Sequence, residues 1–458
     1  MHPTVVLNVV GLTGSLLGRH TPNLTRLASG GVRRPLRTVT PAVTCTVQST
    51  FLTGTAPARH GIVANGWYFR DLAQIFFWRQ SNRLVEGEKI WETARRRDRS
   101  VTCASLFWWY NMYSGADLTV TPRPIYPADG RKIPDIYSHP ASLAERLKAD
   151  IGDFPFFHFW GPRADILSSR WIAESALRVF DWEAPTLTLV YLPHLDYNLQ
   201  RLGPDDPALA ADLAAIDAVC GRLIDHFLQR GARVIVLSEY GITRVDGPVH
   251  INRVLRQAGL LRVRNELGLE ALDPGASDAF AVADHQVAHV YVQDPAKIAA
   301  VGALLETTPG IEQVLTGADK AAFGLDHPRC GELVAIARPE RWFTYYYWLD
   351  DAVAPDFART VDIHRKPGYD PVELFVDPQL RFPKLKIGRI LLKKKLGFRY
   401  LMDVIPLEAG LVRGSHGRIT DDPSEGPLLI SSERRLVPCD TVEATAVRDL
   451  ILDHVFIH

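Results

Sequence analysis

Residues 4–10 read Thr-Val-Val-Leu-Asn-Val-Val, an apolar run broken only by Asn8 and closed by Gly11. A segment this apolar offers no face to water, so it suits a strand covered on both sides, as in a parallel sheet. The same texture recurs between helical segments. Thr21-Pro-Asn-Leu-Thr-Arg-Leu-Ala28 predicts a helix with Thr21 as its cap, Pro22 in the first position and Gly30-Gly31 as its stop. A predicted helix over about 164–181 precedes a strand over 186–192, and one over about 207–229 closes at Gly231 before a strand over 233–238. Strands alternating with helices predict an α/β fold with a mostly parallel central sheet flanked by helices. Chemistry in such sheets sits beyond the carboxyl ends of the strands.

Past Gly241 the pattern changes. A strand is expected over 282–292, a helix over 295–305 and another strand over 311–315. With 458 residues the chain has room for one large domain and an insertion. The division expected is a core of residues 1–245 and 400–458, with an inserted α+β cap over 246–399. The 52 basic and 52 acidic residues cancel, so no global field draws the chain to nucleic acid or to an anionic membrane. A small molecule is the default partner, and nothing in the sequence sets the oligomeric state. Five scattered cysteines without a CxxC pair suggest neither a disulfide framework nor a thiolate zinc site. No apolar run approaches the roughly 18–20 residues of a membrane span, and no signal segment opens the chain, so a cytoplasmic setting is expected. Lys384, Lys386, Lys393, Lys394 and Lys395 alternate with Leu and Ile. This cluster reads as a solvated face, with a phosphate or membrane-surface contact as the alternative.

The most informative stretch is Thr40-Pro-Ala-Val-Thr-Cys-Thr-Val-Gln-Ser-Thr-Phe-Leu-Thr-Gly54, continued by Ala56-Pro-Ala-Arg-His-Gly-Ile-Val-Ala-Asn-Gly66. A hydroxyl at a helix start sits among free N–H groups and the positive end of the helix dipole, which favour an anion. Taken alone, Thr44 would only cap its helix and Asn65 only make a turn. Together with the segment from Thr21, the stretch resembles the nucleophile region of the phosphodiesterase/nucleotide pyrophosphatase family within the alkaline phosphatase superfamily. The resemblance implies an alkaline-phosphatase-like core, Thr44 as nucleophile and Asn65 as donor to a phosphoryl oxygen. The Cys45 backbone N–H would be a second donor, in an oxyanion-hole arrangement. His60 is expected to hold the turn after the helix.

Members of that family bind two metal ions, usually zinc, through three Asp and three His residues. The first Asp position is Val10 here. In Leu192-Pro-His-Leu-Asp-Tyr-Asn-Leu-Gln-Arg-Leu-Gly-Pro204, Asp196 holds the aspartate position and Gln200 a histidine position. Ser238-Glu-Tyr-Gly241 keeps a carboxylate in Glu239 and replaces a histidine by Tyr240, while Ser415-His-Gly417 keeps His416. Zinc favours imidazole, thiolate and carboxylate, whereas an oxygen-rich set suits magnesium or manganese. One divalent ion on Asp196 and His416 is the expectation, beside the zinc that the resemblance implies. His194 stands two residues before Asp196; in an extended segment both point to one side, which would let His194 replace the lost histidine.

Other candidates are weaker. His285 and His289 would share a strand face, for structural or substrate contacts rather than metal. Arg365 and Lys366 either reach a phosphate or tie cap to core. The aromatic runs 156–160 and 345–348 read as core, with a base-stacking cleft as the alternative. The resemblance implies a metal-dependent hydrolase of phosphodiesters or nucleotide pyrophosphates acting on a small phosphorylated substrate. The alternative is a pseudoenzyme that binds a phosphorylated ligand or a protein without hydrolysis.

Overall fold

The computed structural model describes residues 1–129 and 131–457. Among the described residues nine strands form the central sheet: β1 (Thr4–Val9), β2 (Val32–Arg37), β3 (Cys103–Leu106), β4 (Leu118–Pro122), β5 (Ile136–His139), β6 (Leu187–Leu192), β7 (Arg233–Leu237) and, late in the chain, Leu428–Ser431 and Val442–Glu443. From β7 the order runs β1, β6, β3, β4, all parallel, and antiparallel partners flank this block on both sides. The six residues of β1 are fully buried, as an apolar run without a solvent face requires.

The helices that matter for the site and the surface are α1 (Pro22–Gly30), α2 (Thr44–Thr53), α3 (Ile166–Glu183), α4 (His194–Leu202), α5 (Leu209–Gln229) and α6 (Pro383–Lys395). Thr21 does not cap α1 with its side chain. Asp217, from α5, accepts from the Asn23 and Leu24 backbone N–H groups at 3.0 and 2.9 Å, so a carboxylate from a neighbouring helix takes the role expected of the local threonine. Gly31 ends α1 where a Cβ would meet Ser431 O at 1.9 Å; here the glycine serves close packing.

Between β7 and Leu428 the chain adds no strand to the central sheet. It builds a separate antiparallel sheet instead, in the order Ala279–Asp284, Val287–Val292, Leu333–Ala337, Ile311–Leu315. The single strand expected over 282–292 is therefore a hairpin. Its two-residue turn is His285-Gln286, with Asp284 paired to Val287. His285 adopts φ 59°, a left-handed conformation that non-glycine residues seldom take. Tyr345, Tyr346, Tyr347 and Trp348 are buried in the hydrophobic cluster around this second sheet, which makes that aromatic run core.

Candidate active site

Four connections at one end of the parallel strands converge. The loop after β2 leads into α2, whose first residue is Thr44. Directly after β6, α4 carries Asp196 and Gln200 four residues apart, hence on one helix face. Glu239 and Tyr240 follow β7. His416 follows the short strand Gly414–Ser415, which pairs with Thr243–Arg244. That strand reaches α4 because Gly414 has no side chain: a Cβ there would meet Leu199 O at 2.1 Å. All of these side chains are buried.

Thr44 Oγ1 lies 2.9 Å from the Tyr240 hydroxyl, which in turn donates to Asp196 Oδ1 at 3.4 Å. Burial drives the Asp196 carboxyl up to about 7, and hydrogen bonds from Gln200 and Tyr240 only partly oppose this. Gln200 Nε2 donates to Asp196 Oδ2 at 2.9 Å and to the Tyr369 hydroxyl at 3.0 Å. Four rings pile up in sequence: Tyr240 stacks on His416 and His285 on Tyr369 with centroids 3.6 Å apart in each pair, and between them His416 meets His285 at 3.7 Å with the planes tilted by 37°. The hydrogen bonds through Asp196 and Gln200 join the two outer tyrosines, so stack and network close into one circuit.

Asn65 departs from expectation. Its Oδ1 accepts from the Cys45 backbone N–H at 2.9 Å, and its Nδ2 donates to Asp284 Oδ1 at 3.1 Å. The Cys45 N–H is thus committed to Asn65 rather than free for an oxyanion, while Nδ2 keeps one hydrogen unspent. Asp284 also accepts from the Asn65 backbone N–H at 2.8 Å and meets His285 Nδ1 at 2.7 Å. The hairpin turn is thereby fastened to the start of α2.

Glu239 is held by two neutral amides. Its Oε1 accepts from Asn8 Nδ2 at 2.5 Å and Gln48 Nε2 at 2.6 Å, and its Oε2 is buried without a partner. Burial raises this carboxyl to about 8. The residues for two ions are not there. Val10 offers no donor, the Tyr240 phenol is held far above its ordinary range by burial, and Glu239 is saturated at one oxygen. Among the described residues no cluster of three or more His, Cys, Asp or Glu side chains could hold a metal. Two donors nevertheless lie near each other. His416 Nδ1 donates to Ala42 O at 2.8 Å, so Nε2 is a bare, buried lone pair without a partner, 3.9 Å from Asp196 Oδ1.

His194 does not join this group. It opens α4 rather than extending β6, and two residues along a helix point to different sides. Its Nε2 lies 3.1 Å from Asp212 Oδ1, without hydrogen-bond alignment. His289 and His285 do not share a strand face either. His289 Nε2 reaches Val63 O at 3.0 Å and its Nδ1 lies 3.4 Å from the Gly331 N–H, as a structural residue does. Lys366 is buried against Asp370 and Glu373 at 2.7 and 2.8 Å, both in its own segment of the chain, so its charge is spent locally rather than on a phosphate or on a tie between cap and core. His60 meets Thr50 Oγ1 at 3.0 Å and accepts from the Ile62 N–H at 3.1 Å.

Sequence reasoning missed Asn8, Gln48, Tyr369, Trp78 and Trp109. Trp78 and Trp109 are half-buried, with ring centroids 4.7 Å apart. The Trp78 backbone N–H donates to Asn65 O at 3.0 Å and the Trp109 backbone N–H to Gln48 Oε1 at 2.7 Å. Asn8 alone carried a signal, as a lone amide inside an otherwise apolar strand.

Residues 4–370 match the sequence pattern of the type I phosphodiesterase/nucleotide pyrophosphatase family. A Schizosaccharomyces pombe protein described as an uncharacterized pyrophosphatase/phosphodiesterase is 27% identical over 267 residues, covering 55% of this chain and 46% of that protein. Rat ectonucleotide pyrophosphatase/phosphodiesterase family member 1 is 23% identical over 281 residues, 57% of this chain and 26% of the relative. The matches thus span less than half the length of these curated relatives. Among solved structures, phosphonoacetate hydrolase from Sinorhizobium meliloti superposes with a TM-score of 0.61 at 12% identity, covering 99% of this chain and 96% of that one. An inactive variant of murine ectonucleotide pyrophosphatase/phosphodiesterase 5 in complex with AMP gives 0.59 at 15%, covering 99% and 95%. At such identities the likeness shows the fold, an alkaline-phosphatase-like core.

Proposed function

We propose that this chain, which belongs to the type I phosphodiesterase/nucleotide pyrophosphatase family, hydrolyses small phosphodiesters or nucleotide pyrophosphates through Thr44. One observation carries the reading: the Thr44 hydroxyl, at the start of α2, is linked through Tyr240 to the buried carboxyl of Asp196.

In that arrangement Thr44 Oγ forms a bond to phosphorus as the bond to the leaving oxygen breaks. The threonine proton passes to the Tyr240 oxygen while the Tyr240 proton passes to Asp196 Oδ1. Burial holds the Tyr240 phenol far above its ordinary range, so it conducts the proton without standing as a phenolate. Water then attacks the phosphothreonine; Thr44 Oγ leaves and regains its proton along the same path, and the proton of the water goes to product or solvent. The first-turn N–H groups of Thr44 and Thr46, those of Cys45 and Val47 being spent on Asn65 and Val43, and the remaining hydrogen of Asn65 Nδ2 are the donors for the developing charge.

A divalent ion held by Asp196 and His416, of magnesium, manganese or zinc type, would supply Lewis-acid stabilisation of a phosphoryl oxygen. It would draw on the same Asp196 oxygen that ends the relay, so metal dependence and pH dependence are coupled. The test is Thr44→Ala on p-nitrophenyl phosphodiesters, with each metal screened separately. Loss of turnover with the protein still folded is expected, and turnover that survives the substitution eliminates the covalent route.

A second reading, ligand binding without hydrolysis, is favoured by one observation: Glu239 Oε1 and Asn65 Oδ1 are already spent on groups of the protein itself. Calorimetric binding of AMP by a protein that turns over no diester under any metal would support it.

A further inference from the structure

Helix α6 has two apolar faces, and only one of them is used. Ile390 is buried, and Ile387 packs against the hydrophobic cluster of the second sheet. Leu385, Leu392 and Leu396 follow each other at intervals of seven and four, so they project from one side of the helix within about 40° of each other, roughly opposite the two isoleucines. They are 72%, 56% and 64% exposed. Phe382 and Phe398, just outside the two ends of the helix, are 61% and 65% exposed. Scattered surface leucines need no explanation, but a stripe in register on a helix already anchored by its other face does.

The charge of the segment is equally one-sided. Between Pro378 and Met402 stand eight Lys or Arg residues and no Asp or Glu, in a chain whose total charge is zero. Lysines at a helix C-terminus complement the helix dipole, which accounts for Lys393, Lys394 and Lys395 but not for the leucines between the cations. Lys386 is bonded to the Asp403 carboxylate at 2.8 Å and to its backbone oxygen at 2.6 Å, which fixes α6 on the body of the protein. The outer stripe is therefore held outward.

We propose that residues 381–401 are a peripheral docking face for the surface of an anionic lipid bilayer. Leucines would enter the boundary between headgroups and acyl chains, and the lysine and arginine stems would lie alongside with their charges in the headgroup layer. A second copy of the chain is disfavoured, because two such faces repel each other. Nucleic acid would pair with the cations and leave the leucines in water. The proposal is independent of the catalytic reading.

The full chain is sedimented with vesicles of phosphatidylcholine alone or with about 30% phosphatidylglycerol, beside the triple variants Leu385→Ser/Leu392→Ser/Leu396→Ser and Lys393→Gln/Lys394→Gln/Lys395→Gln. The unaltered protein should pellet with the anionic vesicles only, release as salt rises, and lose about 10-fold in partition in each triple variant. Circular dichroism confirms that both variants fold, as solvent-facing substitutions should. Equal partition on neutral vesicles, absence of binding, or binding that the leucine variant leaves intact overturns the proposal. Tighter retention on heparin or duplex DNA than on vesicles, with the leucine variant unaffected, would identify the face as a polyanion site instead.

Discussion

The ring of Tyr240 lies flat on that of His416, the planes 6° apart and the centroids 3.6 Å apart. Tyr240, which the sequence resemblance sets at a histidine position, presents an aromatic ring there and turns its polar atom to Thr44 and Asp196. Tyr240→Phe preserves the stack and removes the relay. Turnover should fall about 100-fold, the usual scale of general acid–base assistance, with the melting midpoint nearly unchanged. Tyr240→His should instead raise affinity for zinc, measured by calorimetry, because it returns an imidazole to a pocket that has Asp196 and His416. Full activity in Tyr240→Phe would remove the relay from the mechanism.

Asp196 ends that relay and must be ionised to accept a proton. Since burial holds its carboxyl at about 7, turnover should climb with pH up to about 7 and level off above. A bound divalent ion favours the carboxylate, so metal should move the rising limb to lower pH. A profile recorded with chelator and with Mg²⁺ or Mn²⁺ checks both. A limb that stays in place in Asp196→Asn assigns it to another group.

Glu239 makes the opposite statement about stability. Its carboxyl sits at about 8 when folded against an ordinary 4.5, so between these values the native state binds more protons than the unfolded chain. Stability contributed by the neutral acid is then present below about 4.5 and lost as pH rises towards 8. Glu239→Gln removes that titration while keeping an oxygen for the Asn8 and Gln48 amides. Thermal melts at pH 5 and 8.5 should show the variant gaining on the parent at the higher pH, by about 1 °C per kcal/mol recovered in a chain of this length. An equal difference at both pH values would mean that Glu239 is ionised when folded.

The parallel strands and the placing of Asp196, Glu239 and Tyr240 were legible because they follow apolar strands, and strand ends in such a sheet collect chemistry on one side. Thr44 follows the arginine-rich β2 and His416 a two-residue strand, so those two were legible only through their motifs. Local rules failed where a distant group took over. Thr21 was a sound cap by composition, but Asp217 from another helix brought a full charge to the same N–H groups. The hairpin at Asp284 carries no glycine or asparagine at its turn. His285 takes the left-handed conformation there, held between Tyr369 and His416, so no turn signal stood in the sequence. His194 was placed on an extended segment because α4 begins without the usual N-cap residue, its preceding position being Pro193. The amides around Glu239 were invisible for another reason: Asn8 and Gln48 meet it only through contacts 231 and 191 residues apart.

Trp78 and Trp109 set the last expectation. Their backbones are bonded to the side chain of Gln48 and the carbonyl of Asn65, residues that brace Glu239 and the start of α2, so both tryptophans are anchored to residues that flank Thr44. They are half-buried where their partners are fully buried, and Tyr369 lies 6.0 Å from Trp78 at a steep angle. The Trp109 Nε1–H is buried without a partner. A planar leaving group could stack on this wall, whereas an alkyl group could not. Stacking of a base on an aromatic side chain is worth about 1–3 kcal/mol, so Trp78→Ala should raise KM for a nucleoside 5′-phosphodiester by roughly 5- to 150-fold. It should leave an aliphatic diester nearly unaffected, with kcat changed little for both, since Thr44, Tyr240 and Asp196 are untouched. Steady-state kinetics on the two substrates decide the point. Equal losses on both would show that Trp78 only supports Asn65, and the selection of a flat leaving group would then have to lie elsewhere in the pocket.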